Sequence, residues 1–517
     1  MEITKEVILK DYQKLKRLVD KSVKQGKWEN ACCFVKMAAN LMYNSNLIYA
    51  DDELESFLKT ISEKILEAPD VKKSEGGTKK KLVFYDYFML DNRGLTEQYL
   101  EALFDSDYEV LFVGFPNGEK SKEIIRKLDE HKDEHKIKTF FIYEKKETVK
   151  AKAVFNAIND FKPAIIFAHT SPWDIAGLAA ISRFENCCAR FLTNITDHAF
   201  WLGAKVFDYF IEFRNYGYNI SKKYRGIPEE KLLILPYYPI VNKNIPFSGF
   251  NFDTTNKKLI FSGGSIYKIQ GSPIFLEIVK YILDKHEDAI FLFLGNGDFS
   301  YLQKFVDKNN YQGRFFFSKE RKDIYEVFKH CTLYLNTYPM IGGLMTQYAC
   351  VSGKLPITLN TYGANHCNNI HELLLGKNDI KIQFSTKEDC EKAIDYYLEN
   401  HIELTANSEI IKSEIITPND FRNYLFGFFN GKIASPINKI NYDINIKEWA
   451  DNYIKRFNEN KCISYYKLFI CKSLKIRIIF IKYFVFYYFF TKFKKIITIF
   501  YKKLHCCPIN SPNSQIK

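Results

Sequence analysis

Apolar and polar positions follow two different rhythms along this chain. Up to about residue 67, apolar side chains such as Ile8, Tyr12, Leu15, Leu18 and Val19 recur at three- and four-residue spacing, with no proline before Pro69. That period predicts two or more helices packed as hairpins. The stretch Gln25-Gly26-Lys27-Trp28 resembles the turn of a helical repeat, but no second copy follows at a fixed period, so a solenoid is not expected. Ser74-Glu75-Gly76-Gly77 then has linker composition.

From Leu82 the rhythm shortens. Leu82-Val83-Phe84-Tyr85, Val110 to Val113, Thr139 to Ile142 and Ala164 to Phe167 are almost wholly apolar, and Phe191 to Thr193 and Tyr209 to Ile211 continue the series. Continuous apolar runs of this length suit parallel strands buried on both faces. Helical patterns such as Thr96 to Leu103 and Ile175 to Ile181 separate them, giving a βα alternation and a doubly wound sheet. After Pro236-Tyr237-Tyr238-Pro239 a second series begins: Lys258 to Phe261, Ile290 to Leu294, Phe315 to Phe317, Leu333 to Leu335 and Leu355 to Thr358. The predicted organisation is a helical extension (1–68), a linker (69–81), a Rossmann-like unit (82–240), a second Rossmann-like unit with a final helix (241–435), and a tail (436–517).

Ligands of open α/β sheets bind beyond the carboxyl ends of the strands, so the loops there are where chemistry is sought. Three such loops in the second series carry glycines. Ser262-Gly263-Gly264-Ser265 leads to Lys268, Leu294-Gly295-Asn296-Gly297-Asp298 follows the next strand, and Tyr338-Pro339-Met340-Ile341-Gly342-Gly343-Leu344-Met345-Thr346-Gln347 opens a helix. Glycine lets backbone approach a ligand, a helix start offers unpaired N–H groups, and a lysine supplies counter-charge; together these suit a diphosphate. One such loop alone is a common tight turn; three on one sheet edge are more specific.

The order G-G-S-x-x-x-K, L-G-N-G-D, then Y-P-x-x-G-G-L-x-T resembles the donor half of GT-B glycosyltransferases, enzymes of two facing Rossmann-like domains. The resemblance spans approximately Leu82 to Phe429. It implies that the second domain holds a nucleoside-diphosphate sugar through Gly263, Gly264, Ser265, Lys268, Gly295, Gly297, Gly342, Gly343, Leu344, Thr346 and Gln347. The first domain would then hold the acceptor, and neither a cofactor nor a metal is expected. Two departures stand out. Many retaining members place glutamates eight positions apart across the glycine loop, where this chain has Pro339 and Gln347, and Gln270 sits where a lysine is common. Retention or inversion is therefore left open.

In the first domain the same resemblance points to three places. Arg93-Gly94 matches the loop that admits an acceptor, Ala168-His169-Thr170 follows the fourth strand at the expected cleft, and Thr196-Asp197-His198-Ala199-Phe200-Trp201 follows the fifth. An imidazole can accept a hydroxyl proton near neutral pH, and Asp197 could orient it, which makes His198, Asp197 and His169 the catalytic candidates. A purely structural cap formed by Thr196 and Asp197 is the alternative. Asp86 and Asp91 belong to no D-x-D motif and are given no metal role.

Charge changes the picture in one respect. The net charge of +13 suggests nucleic acid, yet from residue 471 onward ten lysines and arginines occur without an aspartate or glutamate, so most of the excess lies in the tail. The longest charge-free run there, Tyr483 to Thr491, is too short to span a bilayer, which needs about 20 apolar residues. Aromatics interleaved with lysines instead predict attachment to an anionic membrane surface. The N-terminus lacks signal-peptide features, and the twelve cysteines show neither zinc spacing nor a disulfide framework, so a cytoplasmic location is expected. The function these features imply is transfer of a sugar to a cell-envelope glycan or lipid-linked acceptor, as in polysaccharide or lipopolysaccharide biosynthesis. A protein O-glycosyltransferase and a non-catalytic sugar-nucleotide scaffold are the alternatives.

Overall fold

A computed structural model of the chain describes residues 4–454 except 71–79, 91–95, 132–136, 243, 433, 447–449 and 452, and the backbone alone at 401–402. Arg93, Gly94 and the basic aromatic segment from 471 lie outside the described residues.

Seven parallel strands form the first sheet: β1 (Lys81–Asp86), β2 (Glu109–Gly114), β3 (Ile137–Phe141), β4 (Ile165–His169), β5 (Ala189–Asn194), β6 (Tyr209–Glu212) and β7 (Leu232–Ile234), in the order β3-β2-β1-β4-β5-β6-β7. Side chains of successive residues point to opposite faces, and both faces are filled. Leu82, Phe84, Val110, Phe112, Ile165 and Phe167 enter one core, while Val83, Tyr85, Leu111, Val113, Ile166 and Ala168 enter the other. Double burial is why these segments read as unbroken apolar runs.

The second sheet repeats the plan with six parallel strands: β8 (Lys258–Ser265), β9 (Ala289–Asn296), β10 (Phe315–Lys319), β11 (Leu333–Leu335), β12 (Pro356–Leu359) and β13 (Gln383–Phe384), in the order β10-β9-β8-β11-β12-β13. β7 and β13, three and two residues long, have no counterpart among the predicted strands.

The helix Pro418–Phe429 returns from the second sheet to the first. Thr417 caps it, its hydroxyl accepting from Asp420 N at 3.1 Å, with proline at the position where no N–H is needed. Its aromatic face then docks on the first domain, Phe421 against Tyr99 and Tyr238 and Phe429 against Phe167 and Phe191. One apolar core thus runs continuously through both domains.

Three helices, Lys5–Lys24, Trp28–Ser45 and Asp52–Ile65, form the N-terminal part and are bonded into the first domain. The Glu29 carboxylate accepts from Glu147 N and Thr148 N at 3.0 and 2.9 Å, capping the helix Glu147–Phe161 from outside. Glu55 accepts from Gly203 N and Ala204 N at 2.7 and 3.1 Å. Asn46 donates to the His198 carbonyl at 2.9 Å, so the extension helps shape a loop that carries a candidate residue.

Residues 434–446, nearly all within the segment assigned to the tail, form a strap along the helix Asn215–Tyr224. Asn215 and Asn219, one turn apart, read its backbone with both ends of each amide. Asn215 donates to Asn438 O at 3.0 Å and accepts from Ile440 N at 2.8 Å, and Asn219 donates to Ile440 O at 2.8 Å and accepts from Tyr442 N at 3.2 Å. Among the described residues no helix is long and apolar enough to cross a membrane.

Candidate functional site

Each sheet reverses its strand order at one point, between β1 and β4 in the first and between β8 and β11 in the second. A crevice opens at the carboxyl ends of such a pair. The candidate residues gather at these two edges, and buried contacts join the edges. Ala199, Tyr216 and Cys367 share an apolar cluster against which Met340 packs, which brings the His198 loop and the glycine loop into one neighbourhood.

On the second-domain side the first two glycine loops and the helix start divide into distinct roles. Gly263-Gly264-Ser265 ends β8, and Gly264 has φ +143°, a conformation that favours glycine. Lys268 Nζ donates to the Ile341 carbonyl at 2.8 Å, so the ammonium lies on the loop that precedes Gly342-Gly343. Gly342 caps the helix Gly343–Val351, whose first-turn N–H groups lack intrahelical partners. A lysine ammonium beside a helix start is an arrangement that attracts an anion.

Other predicted donor residues have structural occupations. A Cβ on Gly295 would lie 1.7 Å from the Gly264 carbonyl oxygen, so this glycine is required where β9 pairs with β8. Gly297, at φ +128°, lies against Ile266. Thr346 is fully buried and donates to Gly342 O at 3.1 Å, and Leu344 packs on the core of the second sheet. Gln347 is buried as well, and its amide donates to Tyr237 O at 2.7 Å, which ties the glycine-loop helix to the interdomain segment. The other end of the amide, Oε1, is buried without a hydrogen-bond partner.

The hub of this edge is Asn336, which the sequence reading did not single out. Its Oδ1 accepts from Thr337 N and Gly342 N at 3.0 and 2.9 Å, and its Nδ2 donates to the hydroxyls of Thr346 and Thr358 at 2.9 and 3.1 Å. One buried amide therefore fixes the end of β11, the cap of the helix and β12. The available signal was a polar amide at a strand end, six residues before a glycine pair.

On the first-domain side His198 is partly exposed, its side chain 29 % accessible, whereas the adjacent Asp197 is fully buried. His198 Nδ1 stands 3.2 Å from Asp197 Oδ1. Asp197 has a second partner: Arg214 Nε donates to Oδ2 at 2.5 Å and Nη2 to Oδ1 at 3.2 Å. Burial alone would raise the Asp197 carboxyl, but Arg214 and His198 outweigh it and hold it at about 2. Arg225 secures the loop behind them by donating to the carbonyls of Thr196, Asp197 and Ala199.

His169 behaves differently. It ends β4 at the strand-order reversal but is fully buried, with Nδ1 3.0 Å from Asp86 Oδ1 and its ring 4.9 Å from that of Phe88. Asp86 in turn accepts from Phe88 N at 3.0 Å and Thr96 Oγ1 at 2.6 Å. His169 and His198 thus differ in exposure, the first fully buried and the second partly open.

The loop after β12 is a further element that sequence reading passed over. Tyr362 to His366, with Asp443 and Asn445 of the strap, line a pocket of about 320 Å³. The His366 ring stacks on Tyr362 at 4.4 Å, and burial next to Arg214 pushes its imidazole down to about 3, so it is neutral at physiological pH. Cys367 O accepts from Arg214 Nη1 at 2.7 Å, and Glu372 accepts from Tyr216 N at 2.7 Å, both across the domain boundary. Among the described residues no group of three or more His, Cys, Asp or Glu is placed to hold a metal ion.

No family model matches the chain, and no curated protein matches it by sequence. Solved structures do match its fold. An O-GlcNAc transferase variant from Thermobaculum terrenum aligns at TM-score 0.53 and 14% identity over 81% of this chain and 84% of that one. A glycosyltransferase from Rickettsia africae aligns at 0.51 and 14% over 69% and 99%, and Anabaena HepE, solved with UDP and glucose, at 0.50 and 13% over 68% and 99%. The two facing parallel sheets, the returning helix and these alignments define the GT-B glycosyltransferase fold.

Proposed function

We propose that the protein is a glycosyltransferase that moves a sugar from a nucleoside-diphosphate donor held by the second domain to an acceptor presented near His198. The observation that carries this reading is the convergence of Gly263-Gly264, the Lys268 ammonium and the start of the helix Gly343–Val351 on one sheet edge. Such a combination of first-turn N–H groups without intrahelical partners, a helix dipole and a cation suits a diphosphate. The part-exposed, carboxylate-backed His198 joined to that edge through shared packing suits an acceptor hydroxyl. HepE with bound UDP has the same fold, which agrees with a nucleotide-sugar donor.

For the acceptor, the reading favours a cell-envelope glycan or lipid-linked chain, because the ten cations and many aromatics after residue 471 suit the face of an anionic membrane. A protein acceptor is the second reading. It is favoured by the alignment with the Thermobaculum enzyme, which covers 81% of this chain against 69% and 68% for the two other structures. A thermal-shift screen of nucleotide sugars, followed by hydrolysis and transfer to lipid-linked and peptide acceptors, tests both. Binding without turnover of any acceptor or of water would leave a scaffold, and absence of binding would overturn the proposal.

A further inference from the structure

Arg214 lies outside every motif discussed above and makes three bonds that join two places in the fold. Two go to Asp197, whose Oδ1 also faces His198 Nδ1, and the third, from Nη1, goes to the carbonyl of Cys367 in the loop after β12 of the other domain. The guanidinium is buried, 5 % accessible, between the rings of Phe213 and Tyr216. A planar fork that engages a carboxylate with two N–H groups and a carbonyl with a third cannot satisfy all of them unless the two domains are docked.

We propose that Arg214 is the positioning residue for His198, acting through Asp197, and that its bond to Cys367 makes the alignment of His198 depend on docking of the donor domain. This rests on the reading of His198 as the acceptor-facing group. With Asp197 held as a carboxylate, His198 keeps its proton on Nδ1 and its lone pair on Nε2, the nitrogen away from Asp197. Without the guanidinium, Asp197 is a buried carboxylate near Glu212 and Glu372, both negative when ionised, with Arg225 and protonated His198 as positive neighbours. Protonation of Asp197 would then turn an acceptor-only carboxylate into a carboxyl that can also donate, so it would no longer select the His198 tautomer. Loss of the Cys367 contact alone leaves the Asp197 pair but removes the bond that ties the fork to the donor domain. The device therefore links donor-domain docking to readiness of the base without any contact between Arg214 and a substrate.

The test uses full-length protein labelled with 15N in histidine, with the His198 resonances identified by their loss in His198→Gln. Wild-type protein should show His198 as the Nδ1–H tautomer, and Arg214→Gln should convert it to a mixture or to Nε2–H. Arg214→Lys, which restores charge but not the fork, should give an intermediate result and serves if the Gln variant does not fold. In parallel, hydrolysis of the nucleotide sugar that most stabilises the protein should fall about tenfold or more in Arg214→Gln with donor KM unchanged. The same change in a His198→Ala background should cost less than about twofold, since residues acting through one group are not additive. An Nε2–H tautomer in the wild type, an unchanged tautomer in Arg214→Gln, or full additivity would overturn the proposal. Hydrolysis insensitive to His198→Ala would instead overturn the role of His198, with the tautomer result standing separately.

Discussion

Asn336→Ala removes one buried amide and with it four hydrogen bonds, to Thr337 N, Gly342 N, Thr346 Oγ1 and Thr358 Oγ1. Each such bond contributes roughly 1 kcal/mol net, and the N–H groups of Thr337 and Gly342 would be left buried without their acceptor, so a loss of about 4 kcal/mol is expected. For a domain of this size each kcal/mol shifts the midpoint by about 2–4 °C, giving a fall on the order of 10 °C in the thermal transition. Thr358→Val breaks one of the four bonds and also the bond from the Thr358 hydroxyl to Pro356 O at 2.9 Å, and should lose about 2 kcal/mol. Because Gly342 caps the helix Gly343–Val351, the Ala variant should also lose most of the extra stabilisation that a saturating nucleotide sugar confers on the wild type. Scanning calorimetry with and without ligand measures both. A destabilisation below about 1 kcal/mol, or full retention of ligand stabilisation in the folded variant, would refute the role assigned to Asn336.

Five further outcomes follow from other contacts and from the charge of the tail. Lys268→Ala should weaken a nucleoside diphosphate by tenfold or more while leaving the nucleoside unchanged, by isothermal titration; equal loss for both would remove the lysine from the phosphate site. Gly295→Ala should prevent folding of the second domain, because the added Cβ meets the Gly264 carbonyl at 1.7 Å, and a soluble variant with unchanged melting would contradict that packing. Burial pushes the Glu55 carboxyl from 4.5 up to about 7, so the folded state binds that proton more tightly than the unfolded one. Its contribution to stability is therefore full below pH 4.5 and lost as the pH rises to about 7, a difference of roughly 3 kcal/mol that Glu55→Gln should abolish in urea titrations across that range. Truncation after residue 454 keeps the strap and should leave the melting temperature unchanged while abolishing salt-sensitive sedimentation with anionic vesicles. Truncation after 433 should in addition lower the melting temperature, since it removes the partners of Asn215 and Asn219.

The sheets were legible because double burial writes a strand into sequence as a continuous apolar run. Leu82 to Tyr85 and Leu333 to Leu335 fall within β1 and β11. The strap was not, because it is held by amides reaching from a neighbouring helix, and no period in residues 434–446 encodes that. Gly295 shows the limit of motif reading: a glycine in a ligand-edge loop is equally demanded by strand spacing, and only the position of the Gly264 carbonyl distinguishes the two. Asp197 was legible as a partner of His198, but Arg214 was not, since seventeen residues and a strand separate it from the carboxylate it pins. Asn336 likewise acts through partners up to 22 residues away, which a linear search for glycine loops does not see.

The most direct test of the account is to incubate wild-type and His198→Ala protein with the nucleotide sugar that best raises the melting temperature and to measure both its affinity and release of free nucleoside diphosphate. The account predicts equal affinity for the two proteins, with release by the His198→Ala protein reduced by about 10²-fold. Equal release by the two proteins, or no nucleotide sugar that binds, would contradict it.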